Sequence, residues 1–370
     1  MLEWHSVDSA TQFVLGACVG AAVLGPRIGP RKAAIVGGLL GTFPDLDVYY
    51  PYEGPVDSFV LHRGPTHSLI MHALATPVFG EAILRIFRKF REDGPSAHRL
   101  RVYLAVFLCF STHALLDAMT VYGTKLFWPL MPDPVGVGSV FIIDPLYTLP
   151  LLVLALWALF QGNWSAGYAR GLTVALVLST GYLGWSMGAQ QIAQARAIDA
   201  VGGLEEGDRI LAIPTPFNTL FWKATILRGD DYANIYVPIL GGADDVRAYA
   251  HPRNVQSLGC ALNVADIARV AHFSDDFIRL EQEETRVRIA DLRMGLTPSY
   301  VFRFELADMA AGVAQATAPA RVQSERSANG DVDWLLAGIA GDGVERPSEA
   351  GAELSLPAPG AWLPGRELGC

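Results

Sequence analysis

His113 and Asp117 stand four residues apart in the run Ser111-Thr-His-Ala-Leu-Leu-Asp117, so both side chains leave the same face of a helix. The surrounding segment is apolar enough for a membrane, where a central Asp costs roughly 2.5 to 3.5 kcal/mol on insertion scales. Ionisable groups at that depth usually face a cavity, a partner or a metal. Groups of the same chemistry occur upstream: Asp45 and Asp47 in Phe43-Pro-Asp-Leu-Asp-Val48, and His62 and His67 in Leu61-His-Arg-Gly-Pro-Thr-His-Ser68. Three carboxylates and three imidazoles suit a divalent cation, with zinc as the first expectation and manganese, iron or magnesium as alternatives. Asp45, Asp47, His62, His67, His113 and Asp117 are therefore the expected ligands. They serve equally two ions, or one ion with outer carboxylates orienting the imidazoles.

Local chemistry refines this expectation. Pro44 should keep the backbone out of helix, so that Asp45 and Asp47 leave one side of an extended stretch. The Arg63-Gly-Pro-Thr66 turn should bring the rings of His62 and His67 together, leaving Arg63 as an anion clamp. Other polar residues have plainer readings. His72 reads as a packed, hydrogen-bonded core residue, and Asp144 before Pro145 as a helix N-cap. Asp8 likewise reads as a cap, and Gln12 as a buried amide in need of a partner. Tyr122, Phe127 and Trp128 read as an interfacial belt or the wall of a pocket mouth, with Lys125 as a second anion contact. Arg293 is expected to pair with Asp291 rather than to reach over the site.

The elements that must position these groups follow from hydropathy. Apolar segments run at about 10–25, 33–44, 69–87, 102–119, 141–160 and 170–190. A span needs roughly 20 helical residues, so the second is too short to cross alone. Arg85, Arg88, Lys89, Arg91, Arg99 and Arg101 mark their loop as cytoplasmic by the positive-inside rule. If every segment crosses, the turn with Arg27, Arg31 and Lys32 lies on the same side. All six expected ligands then converge at the external face, and the chain after residue 190 is external too. The first ten residues include Glu3, His5 and Asp8, which argues for a retained anchor over a cleaved signal peptide.

Composition divides the chain near residue 200. Acidic and basic residues balance at 13 each through Ala200, so the net charge of -9 belongs to the remainder. No basic patch points to nucleic acid. Cys18, Cys109, Cys260 and Cys370 form no CxxC pair, which argues against a zinc knuckle or redox motif. From Leu204 to Leu306 short alternating runs such as Tyr300-Val-Phe-Arg-Phe-Glu-Leu306 read as half-buried strands. After about Ala310 the Ala, Gly, Pro, Ser and charge-rich chain reads as disordered. The expected fold is mainly α: a polytopic helical membrane domain (1–195), a small β-rich or α+β soluble domain (204–308) and a disordered tail (310–370).

At the motif residues the chain resembles the membrane-bound metal-dependent hydrolase family of bacterial inner membranes. The likeness lies in Asp8-Ser-Ala-Thr-Gln-Phe-Val-Leu-Gly16, Gly41-Thr-Phe-Pro-Asp-Leu-Asp47, His62-Arg-Gly-Pro-Thr-His-Ser68, His113-Ala-Leu-Leu-Asp117 with Thr120 and Gly123, and Asp144-Pro-Leu-Tyr147. It covers most of residues 8–160 and implies a metal-dependent hydrolase in a bacterial inner membrane. The order Asp, His, then HxxxD on a helix is similar, more loosely, to zinc-dependent phospholipase C. The expected function is hydrolysis of a phosphoester or lipid-linked substrate at the external membrane face by a metal-activated water. Arg63, Asp47 and His67 are the expected catalytic residues. The alternative is a metal-dependent binding or transport protein that breaks no bond.

Overall fold

The computed structural model describes residues 2–141, 143–323 and 328–364, with side chains from Ala10 onward; the side chain of Asp8 and all of Cys370 lie outside that range. Helix α1 (Leu2–Ile28) turns at Gly29 into α2 (Pro30–Thr42). Gly29 has φ 84° and Pro30 opens α2 at N1, an arrangement that stops one helix and starts the next. The two helices pack backbone to backbone. A Cβ on Gly16 would stand 2.4 Å from the Gly37 carbonyl oxygen, and one on Gly41 2.7 Å from that of Gln12. The 13 residues of α2 rise about 20 Å, short of a hydrocarbon core of about 30 Å, as its sequence suggests.

The chain continues through α3 (Pro55–Leu61), α4 (Leu69–Ile86), α5 (Arg88–Glu92), α6 (Pro95–Met119), α7 (Pro145–Phe160) and α8 (Ala166–Ala200). Among the described residues, four helical stretches are long and apolar enough to cross a membrane: Ala10–Ile28, Leu69–Ile86, Pro95–Met119 and Ala166–Ala200. The six apolar segments of the sequence thus become four candidate spans and two shorter helices, α2 and α7. Ser68 caps α4 by accepting from the Ile70 amide at 3.2 Å. Asp144 caps α7, accepting from the Leu146 amide at 2.9 Å and from the Tyr182 hydroxyl at 2.7 Å.

The chain forms two compact units: Met1–Tyr50 with His62–Ser186, and Pro51–Leu61 with Met187–Cys370. The boundary differs from the one expected near 195–204, and residues 51–61, read as part of the membrane domain, belong to the second unit. The first unit is helical, with a core that includes Cys18, Leu24, Cys109, Phe110 and Leu151.

In the second unit, β1 (Arg209–Pro214), β2 (Phe221–Arg228), β3 (Asp231–Pro238) and β4 (Arg247–Pro252) form an antiparallel sheet in sequence order. The Gly229-Asp230 turn joins β2 to β3. Ala189, Ala193 and Ala197, one turn of α8 apart, join Trp222, Ala224 and Ile235 in one core. After α9 (Ala265–Phe273), a second antiparallel sheet is made by β5 (Ile278–Glu283), β6 (Arg286–Asp291), β9 (Arg303–Ala310) and β10 (Val313–Arg321), with β7 (Gly295–Leu296) and β8 (Ser299–Tyr300) as a small ribbon.

The stretch expected to be a disordered tail instead supplies β10 and α10 (Asp331–Ala340). It also buries Arg346 and Glu349, each about 1% exposed. Glu349 Oε1 accepts from Asn234 Nδ2 at 2.8 Å and His251 Nε2 at 2.7 Å, while Oε2 accepts from Tyr236 Oη at 2.5 Å and an Arg346 nitrogen at 2.7 Å. Arg293 pairs with Asp291 at 2.8 Å, as expected.

Candidate metal centre

Each candidate residue is delivered by a different local device. Asp45 and Asp47 come from a 3₁₀ run, Phe43–Tyr49, and not from the extended stretch expected after Pro44. At three residues per turn, positions two apart diverge by about 240°, so the two carboxylates take different partners. His67 closes a short 3₁₀ turn, Pro65–His67, just before α4. His113 and Asp117 lie one turn apart near the C-terminal end of α6.

Asp45, His67, His113 and Asp117 converge, each offering one ligand atom, and all four atoms lie within 4.8 Å of one another. Asp45 Oδ1 is 3.4 Å from the Nε2 atoms of His67 and His113. Asp117 Oδ2 is 3.3 Å from both, and the two Nε2 atoms are 3.1 Å apart. For a cation with bonds of about 2.0–2.1 Å, the edge of a ligand tetrahedron is about 3.3 Å. Five of the six edges of the group are close to that length.

The imidazoles are oriented for this task. His113 Nδ1 is 2.6 Å from the Gly41 carbonyl oxygen, which can only accept, so Nδ1 carries a proton; in the neutral ring, the form that binds a cation, Nε2 offers its lone pair to the group. The close packing of α1 on α2 carries Gly41 to that position. His67 Nδ1 is 3.0 Å from Thr66 Oγ1 and 3.8 Å from Asp47 Oδ2, leaving its Nε2 inward as well. Asp117 Oδ2 is buried and accepts no hydrogen bond within the described residues. A buried carboxylate oxygen between two imidazole nitrogens, with a second carboxylate alongside, is a donor set that suits a divalent cation.

The outer partners hold the group in place. Gln12 Nε2 donates to Asp117 Oδ1 at 2.8 Å and to the His113 carbonyl at 3.3 Å, supplying the partner its buried amide requires. Arg63 Nη2 stands 3.3 Å from Asp117 Oδ1 and Nη1 3.3 Å from Thr120 Oγ1, with the guanidinium over the Tyr122 ring. Arg63 is buried, and its contacts in the group are with Asp117 and Thr120. Its own backbone has φ 56°, a left-handed conformation that costs roughly 1–2 kcal/mol in a non-glycine residue. The Arg63 amide donating to Asp47 Oδ2 at 2.9 Å, and its carbonyl accepting from the Lys125 amide at 3.1 Å, hold it there.

Asp47 and His62 lie outside the four-residue group and pair with each other, Oδ1 to Nδ1 at 3.0 Å. Burial pushes the Asp47 carboxyl up, and the hydrogen bond and charge of His62 outweigh it, holding the carboxyl below its ordinary range. For Asp45, burial is likewise outweighed, first by the charge of His113, and the carboxyl sits well below the ordinary value. His72 hydrogen-bonds through Nε2 to the Thr66 carbonyl at 2.8 Å, as its plain reading anticipates. Tyr122 is buried beneath Arg63, nearer a pocket wall than a belt. Thr66, Thr120 and the Gly41 carbonyl were not anticipated. Thr66 and Thr120 sit inside the quoted motifs, whereas a backbone carbonyl carries no side-chain signal.

Residues 7–193 match the family model described as YdjM inner membrane protein. No curated protein and no solved structure matches the chain.

Proposed function

This chain belongs to the YdjM inner membrane protein family, and we propose that it is a membrane-bound metal-dependent hydrolase whose centre is Asp45, His67, His113 and Asp117. The observation that carries the reading is the set of near-tetrahedral edges, 3.1 to 3.4 Å, between ligand atoms whose imidazole lone pairs are turned inward. The edge lengths and the nitrogen and oxygen donors favour zinc, with manganese or magnesium as alternatives. Such a cation polarises a substrate oxygen and acidifies water at neutral pH.

The chain's own residues do the positioning. Gln12 and Arg63 hold Asp117 Oδ1 so that Oδ2 faces inward, and Asp47 with Thr66 aligns His67. Asp45, more exposed than the other three, marks the side from which substrate enters. Leu46 beside it is 49% exposed, with Tyr49 and Tyr50 exposed nearby. Apolar groups next to the entry suit an amphiphile, so the substrate class is a phosphoester on a lipid or lipid-linked carrier. The basic loop between α4 and α6 supports placing the centre at the external face.

The test couples elemental analysis of detergent-purified protein to hydrolysis of phosphodiester and phosphomonoester probes. Bound zinc, and turnover that vanishes in His113→Ala, are expected; metal-free protein with intact turnover would sink the mechanism. A binding or transport role has one observation in its favour. His72 Nδ1 and Ser111 Oγ are buried without hydrogen-bond partners among the described residues, extending polar atoms from the centre into the helices. Zinc uptake by proteoliposomes with no ester turnover would establish that role instead.

A further inference from the structure

We propose that the second unit positions the metal centre through residues 51–61, with Phe59 as a positioning residue that acts through Asp47. The inference rests on the metal reading above and assigns the soluble unit a part in it. The chain leaves the first unit after Tyr50 and re-enters at His62. Between these points α3 is embedded in the second unit. Phe59 is 2% exposed, and its ring lies 4.7 Å from that of Phe273 on α9, 4.4 Å from Phe302 and 5.4 Å from Phe304 on β9. Val56 is buried too, and Asp57 pairs with Arg269 of α9.

Both arms of this loop end on one side chain. Asp47 Oδ1 is 3.0 Å from His62 Nδ1, Asp47 Oδ2 accepts from the Arg63 amide at 2.9 Å, and the same oxygen accepts from Thr66 Oγ1 at 3.2 Å. That oxygen is also 3.8 Å from His67 Nδ1, the nitrogen opposite the one facing the metal position. The path is therefore continuous: α3 sets the arms, the arms set Asp47 and His62, and Asp47 sets the His67 ring. The loop clamp spans sixteen positions. With α3 released, the loop regains the freedom of an unanchored chain, and the clamp must close it unaided. Because coupling is reciprocal, cation binding must also steady α3 within the second unit. A purely structural role for α3 predicts neither effect.

The experiment uses the full chain in detergent micelles. Zinc affinity is measured by competition with a chromophoric chelator, and amide exchange over residues 55–61 is followed by mass spectrometry with and without zinc. Two variants are compared: Phe59→Ala, and a chain with Gly-Ser-Gly-Ser inserted on both arms, after Glu53 and after Leu61. The insertions lengthen the arms and leave α3 packed, so they decide the matter even if Phe59→Ala unfolds the second unit. Zinc is expected to slow exchange over 55–61 in the wild type, and each variant to bind zinc about tenfold more weakly, the scale of a lost outer partner of a ligand. Wild-type affinity in the insertion chain, or exchange over 55–61 that zinc leaves unaltered, overturns the coupling while leaving the metal reading intact. Absence of zinc binding by the wild type overturns both.

Discussion

Among the described residues, a buried cluster of carboxylate and imidazole in the first unit and another in the second are built on opposite logic. In the second unit, Glu349 faces Asn234, Tyr236, His251 and Arg346, so each contact joins a donor to an acceptor. Arg346 is further satisfied by Asp331 and by the Thr297 carbonyl. Burial pushes the Glu349 carboxyl up, and the hydrogen bond from His251 and the charge of Arg346 outweigh it, holding it below its ordinary range. In the first unit, two imidazole nitrogens and two carboxylate oxygens face one another across 3.1 to 3.4 Å. Composition alone does not tell such clusters apart; the balance of donors and acceptors does. A balanced cluster cements a fold, whereas four ligand-type atoms converging on one point suit a cation.

The largest effect that would break this contrast is expected in the second unit. Glu349→Ala leaves Arg346 short of a partner and should destabilise that unit by roughly 3–5 kcal/mol, the cost of breaking a buried pair from one side. Chemical unfolding followed through the second unit's tryptophans reads this, and zinc content should not change. In the first unit, Asp117→Asn exchanges an anionic ligand for a neutral one. Sharing about 12 kcal/mol of binding among four ligands gives ~3 kcal/mol each, or about a hundredfold loss of zinc affinity. If Glu349→Ala lost zinc to the same degree, or Asp117→Asn retained it, the two clusters would not differ in the way described.

Much of the first cluster was legible in the sequence, because an i, i+4 pair on an apolar helix leaves few interpretations, and His113 with Asp117 is such a pair. Asp45 and His67 could be named as ligand types without a geometry. The separate path of Asp47 could not be read, since Pro44 is as compatible with a 3₁₀ turn as with extended chain. The Gly41 carbonyl that fixes the His113 tautomer was equally hidden, because it depends on how closely α1 and α2 approach. The second cluster was illegible for a different reason. Arg346 and Glu349 sit in a stretch whose composition reads as disordered, and their order comes from partners as far as 115 positions away. The membership of residues 51–61 in the second unit likewise rests on Phe59 meeting Phe273, Phe302 and Phe304, contacts with no local pattern.

Acid should separate the clusters by a smaller margin. Imidazoles must be neutral to hold a cation, so zinc affinity should fall as pH drops through the imidazole range, by about tenfold per pH unit for each proton displaced. Glu349 is the reverse case. A carboxyl lowered in the folded state contributes stability that is present above its unfolded value and lost as pH falls through the folded value. As pH falls from neutral towards the ordinary carboxyl range, the chain should therefore release zinc while the second unit keeps its unfolding midpoint. Simultaneous loss of zinc and of the second unit's structure would show that one event drives both.

The smallest expected effect sharpens the contrast most, because it concerns a residue that touches the first cluster without belonging to it. Gln12 donates to Asp117 Oδ1 and the His113 carbonyl, both acceptors, so its amide nitrogen must face them and its oxygen must face away. That oxygen is buried without a partner among the described residues. Gln12→Ala removes a hydrogen bond to an ionised group, worth about 1.5–3 kcal/mol, but also removes the unsatisfied oxygen, which offsets part of the loss. Zinc affinity should accordingly drop only about tenfold, with the ion still bound at micromolar zinc. Gln12→Glu places a second carboxylate against Asp117 Oδ1, where repulsion replaces donation. It should bind zinc more weakly than Gln12→Ala if the amide serves only to orient Asp117. A Gln12→Glu variant that binds more tightly would mean that position 12 can enter the ligand set itself.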